Sequence, residues 1–234
     1  MKKQLLMLFL LWGGIEISAQ TVVQQFFAVS SQPNPVSDMD LHQPTGAGNV
    51  LIAMPRPMSP GVKVASVTDN APGGGNTYKQ VPGAASSCGA KVLLDIWYCE
   101  NCKEGVTELK FHLSSGTRVS VNAFLEISGV PLSSVLDGSG VHVSDGTGTS
   151  AGLEVGPSIT TKGTDFIVAF YYSGNPIPTG VVPDAWTYKT TYVYGLNQPP
   201  GTYQPKLTGA GAAGSYCMSM AAFKTAAPVA KSPN

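Results

Sequence analysis

The chain has 234 residues, and its 14 basic and 14 acidic side chains cancel to a formal net charge of zero. Only 12% of residues are charged, which excludes the basic stripe that nucleic acid or an anionic membrane surface demands. With 27 glycines and 18 prolines among many Thr, Ser and Val residues, long helices are excluded and short strands joined by turns are favoured.

At the N-terminus, Lys2 and Lys3 precede an apolar run over residues 5–12, Gly13 and Gly14 interrupt it, and Ile17-Ser18-Ala19 ends in small residues. This is the pattern of a secretory leader over residues 1–19, with cleavage expected before Gln20. The run is too short to span roughly 30 Å of hydrocarbon, so it does not read as a membrane anchor. No cysteine precedes Cys88, which excludes a lipoprotein anchor at that site, and no later segment has the length or apolarity of a transmembrane helix. The mature protein is therefore expected to be secreted, periplasmic or extracellular.

Residues 21–29 read as a first strand. Segment 38–42 alternates in polarity, and Gly48-Asn49 turns into a strand over 50–54 that Pro55 and Pro57 are expected to stop. Segment 62–68 alternates again, 69–75 (DNAPGGG) is a turn-rich loop, and 76–81 is a short strand. Segment 91–99 (KVLLDIWYC) reads as one continuous strand, and 107–113 sets Leu109, Phe111 and Leu113 on one face. Across 119–130, Val119, Val121, Ala123, Leu125 and Ile127 oppose Ser120, Asn122, Phe124 and Glu126, the alternation of a strand buried on one face. Residues 137–152 are polar and glycine-rich, a surface loop or one weak strand. Strands are expected over 153–161, 165–172, 184–194, 202–207 and 215–224, with 165–172 (DFIVAFYY) apolar enough to be covered on both sides. About ten or eleven antiparallel strands in one domain, residues 20–224, predict an all-β fold, a jelly-roll-like β-sandwich. Residues 225–234 are left as a disordered tail.

Export makes the four cysteines disulfide candidates. A nine-residue strand over 91–99 would place its ends about 30 Å apart, and a bridge needs α-carbons within about 7 Å. Cys88 then reaches neither Cys99 nor Cys102, which leaves Cys99–Cys102 and Cys88–Cys217. A redox CxxC needs a helix start, and here the motif follows a strand. Zinc needs two further ligands, whereas His42, His112 and His142 are scattered singly. The motif reads as a turn staple.

Several stretches resemble a recurring module of bacterial secreted and cell-surface proteins. They are Gly48-Asn49-Val50-Leu51-Ile52, Val67-Thr68-Asp69 with Gly75-Asn76-Thr77-Tyr78, Ile96-Trp97-Tyr98, Glu126-Ile127-Ser128-Gly129-Val130 with Leu136-Asp137, and Met220-Ala221-Ala222-Phe223-Lys224. The resemblance covers nearly all of the mature chain and implies a jelly-roll-like sandwich, mostly of undefined function, sometimes beside adhesive or carbohydrate-active regions. It supplies no catalytic residues. Cys99, Cys102 and the extra glycines between Asp69 and Asn76 depart from it.

No nucleophile elbow, H-E-x-x-H pair, P-loop or dinucleotide fingerprint occurs. Glu126, with Asp95 or a loop carboxylate, is a candidate glycosidase pair; the alternative is that Glu126 accepts hydrogen bonds from a neighbouring loop and pins it. Asp38, Asp40, Asp69 and Asp145 are candidate calcium ligands, although none forms the D-x-[DN]-x-[DN]-G loop. In WTYKTTYVY, the rings of Trp186, Tyr188, Tyr192 and Tyr194 share one strand face, as a sugar-stacking platform or as the inward face of a sandwich strand. Three functions follow: a non-enzymatic module for extracellular glycan binding or surface adhesion, a carbohydrate-active enzyme using Glu126, and a structural protein of an assembly held by cell-surface partners.

Overall fold

The computed structural model describes residues 15–16, 19–30, 34–88, 92–116, 120–144, 153–174, 178–209, 215–227 and 229–230. Lys2, Lys3 and most of the expected leader, Asp145, and the end of the tail lie outside them.

The described residues are all-β and antiparallel, and they stack in four layers. One inner sheet runs β2 (Thr21–Ser30), β11 (Ser120–Ser128), β4 (Val50–Pro57), β9 (Trp97–Cys99), β6 (Lys79–Gln80). The other runs β12 (Leu136–Ser144), β21 (Tyr216–Lys224), β15 (Asp165–Ser173), β18 (Tyr192–Gln198), β17 (Thr187–Tyr188). Between them lies the main core, built from alternate residues such as Ile52, Ala123, Leu125, Phe166, Phe170 and Phe223.

Each inner sheet is also covered on its outer face. A three-stranded sheet of β3 (Val36–Asp40), β10 (Glu108–Leu113) and β5 (Val64–Asp69) packs Met39, Leu109 and Phe111 against Leu51, Ala53 and Phe124. On the far side, β13 (Leu153–Val155), β20 (Lys206–Thr208) and β16 (Gly180–Val182) lie beside the pair β14 (Ile159–Thr161) and β19 (Gly201–Tyr203). These bring Ile159, Val181 and Leu207 onto Ile167, Met218 and Met220. A ribbon of β7 (Ser86–Cys88) and β8 (Val92–Leu94) closes one side, and β1 (Ile15–Glu16) pairs with β22 (Val229–Ala230).

This layering corrects several sequence expectations. β11 is buried on both faces, because Ser120, Asn122 and Glu126 point into the second core rather than into water. They are tolerated because they are hydrogen-bonded there: Ser120 Oγ donates to Asn122 Oδ1 at 2.8 Å and Asn122 Nδ2 to Ser37 Oγ at 2.8 Å. β4 runs through Pro55 to Pro57, because β9 pairs only with Leu51, Ile52 and Ala53 and leaves the later residues free on that side. Prolines two apart omit their amides on the same side of a strand, which suits an open flank. The expected strand over 91–99 is two strands in different sheets, broken at Asp95 and Ile96, and where ten or eleven strands are foreseen the described residues form twenty-two, split among several sheets. The stretch 137–144 belongs to the nine-residue strand β12.

The two ends of the core are tied together. Gln20 is 1% exposed, its amide donates to Asn197 Oδ1 at 3.0 Å, and its Nε2 donates to Phe223 O at 2.9 Å. Gly129 stands at φ +74°, a conformation that favours glycine, and a Cβ there would lie 3.0 Å from Gln20 Cα. The tail expected to be loose is partly docked, with Thr225 N donating to Thr164 O and Ala226 N to Gly129 O.

Cys88 and Cys217 form the expected disulfide, with α-carbons 5.5 Å apart. Cys99 and Cys102, expected to be bridged, are instead free buried thiols. The turn between them is closed by backbone: Cys102 N donates to Asn49 O, Gly48 N to Cys102 O, and Asn101 adopts a left-handed φ of 51°. Cys102 Sγ points to Gly46 O at 3.2 Å, and burial pushes the Cys99 thiol up to about 11 and the Cys102 thiol up to about 12. Such thiols are packing groups rather than nucleophiles.

Candidate functional site

The break at Asp95 creates the site. Its Oδ1 accepts from the following amide, Ile96 N, at 2.9 Å, and its Oδ2 accepts from Trp97 Nε1 at 2.8 Å and Gln80 Nε2 at 2.8 Å. The carboxylate thereby turns the chain out of the β7–β8 ribbon and into the inner sheet. Burial pushes the Asp95 carboxyl up to about 6, against the lowering effect of its three donors.

Above it lies a cleft of about 420 Å³, lined by Lys63 and Val64 at the start of β5, Gln80 of β6, Ser86 and Ser87 of β7, Leu93 of β8 and Asp95. That volume is within the range of small-ligand sites, roughly 300–1,000 Å³. A recess of about 90 Å³ continues past Lys63, Ser87 and Leu93 toward Ser59 and Gly61. Gln80 is exposed and held through its amide nitrogen by Asp95, so the buried carboxylate orients a surface amide. Ser86 turns inward to Ser219 Oγ at 3.1 Å, leaving its exposed neighbour Ser87 on the opposite side of the strand. Sequence alternation marked Asp95 as a mid-strand residue and gave no signal for Lys63, Gln80 or Ser87, which lie on separate segments.

Glu126 belongs to a different cluster. It is fully buried on β11; Oε1 accepts from Gly46 N at 2.7 Å and Asn49 Nδ2 at 2.6 Å, and Oε2 from Gln24 Nε2 at 2.7 Å. A Cβ at position 46 would lie 3.1 Å from Asn49 Nδ2, so glycine lets the backbone reach the carboxylate. Glu126 and Asp95 share none of these donors. The geometry is that of a carboxylate pinning the 46–49 loop to the sheet.

The aromatic row is not one strand. Thr187–Tyr188 and Tyr192–Gln198 are a hairpin, with Lys189 N donating to Tyr192 O at 2.9 Å. Tyr192 and Tyr194 point into the main core, while Trp186 and Tyr188 lie in the outer core on the opposite side of the sheet. Trp186 is 4% exposed and donates from Nε1 to Gln198 Oε1 at 3.1 Å. Gly195 is its counterpart, since a Cβ there would come within 2.6 Å of that nitrogen. Trp186, Tyr192 and Tyr194 are interior packing and Tyr188 is half-buried beside Trp186's cluster, so the four rings do not form one surface platform. Trp186→Ala is expected to lower unfolding free energy by about 3–5 kcal/mol, measured by urea denaturation, through the cavity it leaves.

The candidate calcium ligands are not gathered. Asp38 and Asp40 are exposed on β3, opposite Lys110 and Glu108. Asp69 accepts from Ala71 N, Asn76 N, Asn76 Nδ2 and Tyr78 OH, which closes the glycine loop as an Asx turn. Asp145 lies outside the described residues, among which no group of three or more His, Cys, Asp or Glu is placed to hold a metal. A carboxyl pair not foreseen lies at Asp137 and Asp165: burial and the neighbouring Asp137 push the Asp165 carboxyl up to about 7.

Comparison of the chain with protein-family models, curated proteins and solved structures finds no match.

Proposed function

We propose that this protein is an exported, non-enzymatic β-sandwich that binds extracellular glycan through the cleft above Asp95. The observation that carries the reading is the convergence of a buried carboxylate, an oriented Gln80 amide, the Ser87 hydroxyl and the Lys63 ammonium on apolar walls at Val64 and Leu93. Sugars offer that mixture of hydroxyls and C–H faces, and few polar groups on an apolar floor suffice to fix orientation. Glycosidases of the usual type need two carboxyls across the scissile bond; among the described residues Asp95 is the single carboxyl in this lining, which favours binding over cleavage. Export is supported by the leader pattern and by the Cys88–Cys217 bridge, which belongs in an oxidising compartment.

The test is a binding screen of the purified protein against polysaccharides and cell-wall fractions, with product analysis of the same mixtures. Binding without released sugar is expected. Gln80→Ala and Ser87→Ala are each expected to weaken it about fivefold, the worth of one hydrogen bond; Ser87→Ala should leave the melting temperature unchanged, whereas Gln80→Ala, which also removes a donor from buried Asp95, should lower it. Released sugar would overturn the non-enzymatic reading.

Surface adhesion is favoured by a separate observation. β2 is the outermost strand of its sheet and exposes Val23, Phe27 and Val29, an apolar edge of the kind that takes up a partner strand.

A further inference from the structure

Resting on the glycan reading of the cleft, we infer that its ligand is an acidic polysaccharide, a linear chain whose ring-borne anion is held by Lys63. Among the described residues, Lys63 and Asp95 are the ionisable ones that line the cleft and its recess. The Asp95 carboxylate is 1% exposed and already accepts from Ile96 N, Trp97 Nε1 and Gln80 Nε2, so its charge is met by protein donors. Lys63 is exposed, and the ion pairs among the described residues are Lys79–Glu100 and Lys110–Glu108, neither of which includes it. The side-chain charge left for a ligand at this surface is positive.

Position makes that charge specific. Lys63, Ser87 and Leu93 line both the main cleft and the recess, so Lys63 belongs to the boundary between the two. A single sugar ring fills one compartment; a chain crossing the junction places ring substituents on both sides of Lys63. Gly61, at φ +72°, has no heavy atom within 4 Å of where a Cβ would stand, which leaves the recess open at that end. Sugar hydroxyls serve Gln80 and Ser87, and a neutral chain leaves the ammonium without its counter-charge. A ring anion meets it with a charge-assisted hydrogen bond.

The experiment is titration calorimetry of the purified protein with three matched oligosaccharides: a uronate, a sulfated galactan and a neutral galactan. An acidic ligand is expected to bind about tenfold tighter than the neutral one, the gain of one charge-assisted contact, and to lose that margin as salt is raised. The tighter of the two acidic ligands identifies the anion as carboxylate or sulfate ester. Lys63→Met, which keeps the aliphatic stem of an exposed residue, is expected to reduce acidic binding to the neutral level, whereas Lys63→Arg retains it. Equal binding of acidic and neutral ligands, or acidic binding untouched in Lys63→Met, would overturn the inference and leave the glycan reading standing. Binding of none of the three, together with no ligand in the wider screen, would remove the reading and the inference with it.

Discussion

Replacement of Cys88 and Cys217 by alanine together is expected to lower the unfolding free energy by about 5 kcal/mol, the chain-entropy value for a loop of this size. The bridge closes a sequence separation of 129 residues, so much of the unfolded chain is constrained by it. It also joins layers, tying β7 of the side ribbon to β21 within the inner sheet. Two residues along each strand, Ser86 Oγ meets Ser219 Oγ at 3.1 Å, so the covalent link and the hydrogen bond hold the same wall. Ser86 and Ser87 line the cleft; the double variant is therefore expected to weaken glycan binding even at temperatures where it remains folded. Thermal denaturation should show a fall of roughly 10–20 °C for a domain of this length. A shift of a degree or two would mean that the bridge does not constrain the protein. Peptide mapping under non-reducing conditions should find Cys88 joined to Cys217, with Cys99 and Cys102 alkylated only after unfolding.

Glu126→Ala is expected to cost about 3–5 kcal/mol, because it strands buried donors rather than merely removing a contact. Gly46 N, Asn49 Nδ2 and Gln24 Nε2 all point at its two oxygens. Alanine offers none of them an acceptor and opens a cavity between β11 and the 46–49 loop. Glu126→Gln keeps the shape, but replaces one acceptor oxygen by an amide that faces a donor, so its cost is expected to be smaller and still measurable. Urea denaturation of both variants gives the order Ala, then Gln, then wild type, from least to most stable. Glycan binding by the folded fraction should be unchanged, since Glu126 and the cleft use different segments. If Glu126→Gln were as stable as wild type but abolished a measured sugar release, Glu126 would be catalytic and the pinning role would fall.

Strand β11 shows how far the sequence can be read. Its alternation predicts a strand, and the strand is there over Ser120–Ser128. The polar side of that alternation reads as solvent-facing, yet Asn122 and Glu126 are fully buried. Their partners Ser37, Gly46 and Gln24 lie 85, 80 and 102 residues away in sequence, and periodicity carries no information about which distant segment will cover a face. The aromatic row fails as evidence for a platform for a related reason. Spacing puts Trp186, Tyr188, Tyr192 and Tyr194 on one side of any single strand; the hairpin sends two of them to each side of the sheet. Asp95 is similar, since within KVLLDIWYC nothing distinguishes a carboxylate on one long strand from one that ends a strand by accepting its own next amide.

The amino-acid sequence by itself determined the all-β class, the turns and the principal strands; Cys88 does pair with Cys217, but the continuous strand over 91–99 on which that expectation rests is broken at Asp95 and Ile96. The class, the turns and the strands follow from local pattern and residue propensity. The tertiary structure alone decided that both inner sheets are covered on both faces, that Cys99 and Cys102 stay reduced, that Glu126 is a pin, and that Lys63, Gln80, Ser87 and Asp95 meet in one cleft. Burial and convergence depend on which segments pack together, and that is set by the summed fit of the four layers rather than by any stretch of chain.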